Sequence, residues 1–367
     1  MKVLLVNEAS GVHRNLALGL RALGHDVLLL QTGFQAAQGR ETDVILGREY
    51  SSRRNQFLWN HLVAPFRILR LERFDIVNFV LGMSLLQGRF VRYRDLAYLK
   101  RKGMRLSYYG VGCDEIGAIR LANPNPRPKF CIRCQAFDPL GAQCSRNYIS
   151  RRPSPQTFTS RFNFSITSTP SYAHQHRVMT NAETAAIPFP VDISAISFTG
   201  LSGSRKLVVA HAPTRRGMKG TARVLEAIKN LGGDAKRIEF RVIEGLSHAR
   251  YRDELQRVDV LIDQLDAPVP GMAALEAMAA GKIVITGNLR SAHGFFPFLV
   301  HNPGFHGSSE PGALESTLHQ ILAMGDSLEP LAYRGREYVE RNHSHIDVAR
   351  QFVDVWSARP FAQERVK

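Results

Sequence analysis

The chain has 367 residues, 44% apolar and 22% charged. That is enough for about two domains, each burying its own core, in an ordinary soluble composition. Lys and Arg number 48 against 32 Asp and Glu, a net charge of +16 that bears on anionic partners (membranes, nucleic acid, phosphorylated substrates) or on solubility, and not on fold. No apolar run reaches 18 residues, which argues against a transmembrane helix. The opening MKVLLVN reads as a strand, too short and too soon polar to be a signal peptide. The expected location is the cytoplasm, with the inner membrane face as a peripheral site. Four cysteines without a secretory signal argue against a disulfide framework.

Residues 2–7 predict a first strand, 12–23 a helix stopped by Gly24, and 25–31 the next strand. That is one βαβ unit, the opening of a doubly wound α/β domain. Gly11 alone is no dinucleotide fingerprint; it and His13 are candidate substrate-side residues in the first loop, against a surface histidine at a helix start. Residues 51–73 then place Leu58, Leu62, Phe66 and Leu69 on one helical face. Phe57, Trp59 and Val63 widen that face, and Pro65 is expected to kink the helix. Arg53, Arg54, Arg67, Arg70 and Arg73 add charge. Two readings stand: a helix lying on an anionic membrane surface, or a stripe packed on the sheet beneath solvated arginines. Residues 74–80 predict a strand, 91–102 a helix, and 104–109 a strand, whose following loop holds Asp114 as a candidate polar contact for a ligand.

Residues 121–160 break the rhythm with Asn123-Pro124-Asn125-Pro126-Arg127-Pro128 and then Cys131, Cys134 and Cys144. Together with Cys113 they have the makings of a four-thiolate structural zinc site, or are small buried or free thiols. Four thiolates would leave no open position for catalysis. Beyond the strand at 164–169, His174 and His176 sit at a spacing that puts them on different helical faces. Residues 193–204, rich in Ser and Gly, read as a linker.

The second domain begins with a strand at 206–212 and the loop Pro213-Thr214-Arg215-Arg216-Gly217-Met218-Lys219-Gly220, leading into a helix over 221–231. A strand, three cations and a helix N-terminus suit an anion, against the alternative of a solvated basic turn. A strand at 238–244 and a helix at 247–257 follow. Residues 259–286 (DVLIDQLDAPVPGMAALEAMAAGKIVIT) parse as strand, Pro/Gly loop, helix and strand. In that helix, 271–280, every position is apolar or small except Glu276. A buried carboxylate needs a partner: either Glu276 reaches solvent at an edge, or it accepts hydrogen bonds from ligand hydroxyls. At strand ends and in the loops beyond, His211, Asp263, Gln264, Gly271 and Met272 are further candidate ligand contacts. Helical patterns over 331–342 and 346–356 close the chain before a tail.

Residues 276–285, Glu-Ala-Met-Ala-Ala-Gly-Lys-Ile-Val-Ile, resemble the nucleotide-sugar element of the retaining, family-4-like GT-B glycosyltransferases. The resemblance implies two Rossmann-like doubly wound α/β domains facing a cleft. It places an acceptor-side domain at 1–192 with the cysteine-containing insertion at about 121–160, a linker at 193–204, a donor domain at 205–342, and a last helix at 343–367 crossing back towards the first. It gives Glu276 the donor ribose hydroxyls. Lys219, with Arg215 or Arg216, would grip the diphosphate and stabilise the leaving group without a catalytic metal. The family's first glutamate, eight residues before the second, is replaced by Pro268; should the reaction invert, His13 or Asp114 would be the base. The expected partners are a nucleotide-sugar donor, a glycan or lipid-linked acceptor and an anionic membrane surface. Two other readings compete: a non-catalytic GT-B-shaped binding protein, and a nucleic-acid binder, suggested by the charge and by Arg146, Arg151, Arg152 and Arg161. No nucleic-acid motif supports the second of these, and no nucleic-acid partner is expected.

Overall fold

The structure is a computed structural model that describes residues 1–32, 42–46, 52–80, 84–86, 93–111, 161–169, 184–267, 269–288 and 296–358. The chain divides into two compact units, one from Met1–Arg120, Arg151–Pro190 and His345–Lys367, the other mainly from Val191–Ser344.

In the first unit a seven-stranded parallel sheet runs in the order β3-β2-β1-β4-β5-β6-β7. The strands are β1 (Lys2–Val6), β2 (Asp26–Gln31), β3 (Val44–Ile45), β4 (Ile76–Val80), β5 (Arg105–Gly110), β6 (Phe164–Thr167) and β7 (Ala185–Ala186). β4 is buried along its whole length and β1 nearly so, as expected where helices cover both faces of a parallel sheet. Strand order turns back on itself at β1, so the carboxyl ends of β1 and β4 form the topological switch point.

Helix α1 (Val12–Ala22) returns from β1 to β2. Its Gly19 lies so close to the C-terminal segment that a Cβ there would stand 2.0 Å from the carbonyl oxygen of His345. The expected helix around 51–73 forms as α2 (Arg53–Leu58), a π-helical turn Trp59–Val63 and α3 (Ala64–Leu69). The widened turn falls just where Pro65 cannot donate a backbone hydrogen bond. Helix α4 (Arg94–Arg101) precedes β5.

The second unit carries a five-stranded parallel sheet ordered β12-β11-β10-β8-β9. Its strands are β8 (Leu207–His211), β9 (Ile238–Val242), β10 (Val260–Ile262), β11 (Ile283–Thr286) and β12 (Phe305–His306). Between them run α5 (Arg216–Lys219), α6 (Thr221–Lys229), α7 (His248–Leu255) and α8 (Met272–Ala279), followed by α9 (Ala313–Met324) and α10 (Leu328–His343). Here the order turns back at β8, and the switch point lies between the ends of β8 and β10. The last helix, α11 (His345–Ser357), belongs to the first unit. There its buried Trp356 donates from the indole to Ser107 Oγ of β5 at 3.0 Å.

The stretch 193–204 is held firmly to the second unit. Thr199 and Gly200 amides both donate to the Ala280 carbonyl, and the Phe198 ring occupies the space a Cβ on Gly281 (φ +79°) would need. Ser202 bonds the Asp259 carboxylate through its amide and its hydroxyl. The buried Lys282 ammonium donates to the carbonyls of Gly200 (2.6 Å) and Gln256 (3.1 Å). Burial lowers its pKa to about 8.

Candidate functional site

At the switch point of the second sheet, Asp263 follows directly on β10 and its side chain is fully enclosed. Its Oδ1 accepts from Lys219 Nζ at 2.5 Å, and its Oδ2 from the Gly271 amide at 3.1 Å and the Thr286 hydroxyl at 3.0 Å. One carboxylate thus ties together the end of α5, the start of α8 and the end of β11. Without these donors it would be a costly buried charge; with them it is fully engaged. Lys219 is also 3.4 Å from Gln264 Oε1. Gln264 in turn donates to the Val269 carbonyl at 3.1 Å. An ammonium has three donors, and these contacts use two.

Gly271 is the N-cap of α8, and that helix starts without a side-chain cap. A Cβ on Gly271 would stand 2.9 Å from Asp263 Oδ2 and 3.5 Å from Lys219 Nζ, so any side chain here would press on the ion pair. Met272 is buried behind it.

His211, the last residue of β8, is also enclosed. Nδ1 is 2.7 Å from the Ile262 carbonyl and Nε2 2.9 Å from Thr221 Oγ1. Burial lowers its pKa, keeping the ring neutral: Nδ1–H donates to the carbonyl and Nε2 accepts from the hydroxyl. The histidine therefore fastens β8 to β10 and to the first turn of α6.

Glu276 lies five residues along α8 from Gly271, about 7.5 Å at the helical rise, and is almost wholly buried. Its partner is His248, at the start of α7, whose Nε2 lies 2.9 and 3.1 Å from the two carboxylate oxygens. Tyr251, one turn on, donates to the Ala273 carbonyl at 3.4 Å. Its pKa stands well above the usual tyrosine value because of burial and the nearby carboxylates of Glu276 and Asp263. Neither His248 nor Tyr251 carries a sequence signal for this placement; Ser247 as N-cap marks only the start of their helix.

The cations of the 213–220 loop divide. Lys219 is buried against Asp263, whereas the exposed Arg216 guanidinium forms a bidentate pair with Glu244, 2.8 Å at Nε–Oε1 and 2.5 Å at Nη2–Oε2. That pair holds the Glu244 carboxyl below its ordinary pKa. Arg215 is the half-buried N-cap of α5. The structure therefore brings Lys219, Asp263, Gln264 and Gly271 into one cluster, with Glu276 further along the same helix, and turns Arg216 towards Glu244.

In the first unit His13 is completely buried. Nδ1 is 2.7 Å from the Asn7 carbonyl and Nε2 3.3 Å from Asn78 Oδ1. Burial lowers its pKa to about 4, so the ring is neutral at pH 7 with a single N–H for these two oxygens, and it lies between the end of β1 and β4 instead of at a surface. Gly11 (φ +86°) is the N-cap of α1, and its amide donates to Glu8. Asp114, the cysteines Cys113, Cys131, Cys134 and Cys144, and Pro268 lie outside the described residues. Among the described residues no group of three or more His, Cys, Asp or Glu could hold a metal ion, and no helix is long and apolar enough to cross a membrane.

No protein-family model matches the chain, and no curated protein matches it. Solved structures do. The catalytic domain of starch synthase IV from Arabidopsis thaliana, bound to ADP and acarbose, aligns with 97% of this chain and 98% of its own at 13% identity and a TM-score of 0.63. A glycosyltransferase from Rickettsia africae aligns over 97% of both chains at 15% identity and 0.59. Anabaena HepE in complex with UDP-glucose aligns over 97% of this chain and 99% of its own at 13% identity and 0.59. The two parallel-sheet units have the α/β fold of the GT-B glycosyltransferases. At these identities the likeness is one of fold.

Proposed function

We propose that the protein is a glycosyltransferase that binds a nucleoside diphosphate sugar at the carboxyl edge of the second sheet and passes its sugar to a glycan or lipid-linked saccharide of a bacterial-type envelope, with retained anomeric configuration. The observation that carries this reading is the Lys219–Asp263–Gly271 junction at the switch point, with the Glu276 carboxylate about a turn and a half further along α8. A nucleoside diphosphate spans such a separation. Its phosphate oxygens would take the remaining Lys219 donor, and its ribose hydroxyls would donate to Glu276 beside His248. HepE with UDP-glucose and starch synthase IV with ADP are donor-type complexes of proteins with this fold and support the same reading.

In transfer, negative charge grows on the departing diphosphate. A fixed cation in an enclosed site stabilises that charge most where it is pre-positioned, and Asp263 and Gln264 pre-position Lys219. Arg215 would add charge from the same loop. No metal is needed in this scheme. A second reading, a non-catalytic binder of the donor, is favoured by Pro268 at the position of the first glutamate.

Thermal protection by UDP, GDP, ADP, CMP and TDP tests the site, because a ligand that binds only the folded state raises its stability, by about 2.7 kcal/mol at a hundred times Kd. Selective protection by one nucleotide is expected, and protection by none would overturn donor binding. Protection without transfer from the matching sugars to any acceptor, or to water, would favour the non-catalytic reading.

A further inference from the structure

The stretch 53–69 separates the two readings of its sequence. Its anchoring face is narrow: Ala64 and Ile68 are buried in the core of the first unit, with Trp59 packed partly against it. The apolar stripe points the other way. Phe57, Leu58, Leu62, Val63, Phe66 and Leu69 are 51, 41, 65, 38, 58 and 50% exposed. Single exposed apolar side chains are ordinary, but a stripe at 58, 62, 66 and 69 is continuous along one helical face and needs a cover.

The charge around it is of one sign. Residues 50–71 contain no Asp or Glu, and Arg54, Arg67 and Arg70 are exposed. Arg67 lies over the Trp59 ring at 5.0 Å and Arg70 over the Phe66 ring at 4.8 Å, which keeps both cations beside the stripe. Lys102 reaches the same end of α3, donating to the Leu69 and Leu71 carbonyls at 3.2 and 3.3 Å. A second copy docking through this face would bring the same cations against each other, with no carboxylate in the stretch to answer them.

We infer that α2, the π turn and α3 form an interfacial surface that lies on an anionic lipid bilayer. The stripe enters the headgroup–acyl boundary and the arginines meet lipid phosphates. An apolar face with flanking cations is what an in-plane helix requires, and neither component alone suffices. The inference rests on the first unit only and does not depend on the function proposed above.

Cosedimentation of the full chain with vesicles tests it. Wild type is expected to bind vesicles containing phosphatidylglycerol and not phosphatidylcholine alone, with binding weakening as salt rises. Leu62→Ser with Phe66→Ser removes the two most exposed apolar groups and is expected to weaken binding about a hundredfold or more, with an unchanged melting transition because both residues sit in solvent. Arg67→Gln with Arg70→Gln is expected to weaken it roughly thirtyfold; should the serine pair fail to fold, the glutamine pair decides alone. Three results would overturn the inference: no binding by wild type, equal binding to neutral vesicles, or full-strength binding by the folded variants. A dimer that the serine pair dissolves, without vesicle binding, would also overturn it and mark the stripe as a self-association face.

Discussion

The two sheets turn back on themselves at equivalent places, at β1 in the first unit and at β8 in the second, and the chain treats the two turns in opposite ways. After β1, Asn7, Ser10 and Gly11 have φ of 65, 56 and 86°, a tight loop that brings Glu8 over the start of α1. The Glu8 carboxylate accepts from the Gly11 amide and, at 2.7 Å, from the Arg14 amide. That helix end is already answered by a carboxylate, and His13 behind it is neutral. An incoming phosphate would meet like charge there. After β8 no acidic residue stands in the first turn of α5 or α6, and Lys219 is set in place by Asp263. The same topology thus sets a carboxylate over the helix start at one crevice and a lysine held by a carboxylate at the other, and the proposed donor site rests on the second. The switch-point rule names two places; the charges decide between them.

The largest expected effect lies in the second turn. Lys219→Ala should lower transfer by about 100- to 1,000-fold, as loss of a pre-positioned charge stabiliser does. Unchanged turnover would remove Lys219 from the mechanism. Asp263→Ala should act on the fold, costing about 3–5 kcal/mol by leaving a buried ammonium unpaired. Denaturant unfolding measures it, and a cost under 1 kcal/mol would show that Lys219 does not depend on its partner.

The first turn answers in pH instead. The folded pKa of His13 is about 4 against about 6.5 unfolded. The unfolded chain therefore takes up its proton first as pH falls. Stability from this group is complete above about pH 6.5 and drains towards pH 4, by up to about 3 kcal/mol. His13→Gln should flatten that part of the stability profile. An identical slope in the variant would place the titration elsewhere.

Much of the architecture was legible. Apolar runs, with Gly24 closing the first helix, mark the principal strands and helices, and strand–helix alternation points to two doubly wound α/β domains. The two-residue strands β3, β7 and β12 were not, because so short a pair forms only against a neighbour already in place. Helix α9, between Gly312 and Gly325, is not among the predicted elements either. At the site, residue types were legible but partners were not. Lys219 meets Asp263 across 44 positions and Glu276 meets His248 across 28, and no local spacing encodes such pairings. For Glu276 the sequence allows a solvent edge or a ligand contact; the fold buries it and adds His248 as a partner that neither reading names. In the loop 213–220 the sequence leaves Arg215 and Arg216 as alternatives beside Lys219, and Glu244 claims Arg216.

Glu276→Ala sharpens the comparison further along α8. It should raise the Kd for the protecting nucleotide by roughly 10- to 150-fold, the range for hydrogen bonds to a charged group. His248→Ala should raise it less, since the carboxylate remains and loses only its orientation. Isothermal titration separates the two, and equal losses would make His248 a direct contact.

The smallest effect tests the closed turn itself. Glu8→Ala removes the acceptor of the Gly11 and Arg14 amides, and losing such a cap costs about 0.5–2 kcal/mol. It also frees the positive end of α1. If Glu8 is what bars that crevice to anions, the variant should lose stability in phosphate-free buffer and recover part of it when phosphate is added, while wild type responds only through the second turn. Lys219→Ala alone and combined with Glu8→Ala separates the two sources: recovery in the double variant belongs to the first turn. No recovery there would mean that the fold, and not the carboxylate, closes that end of the sheet.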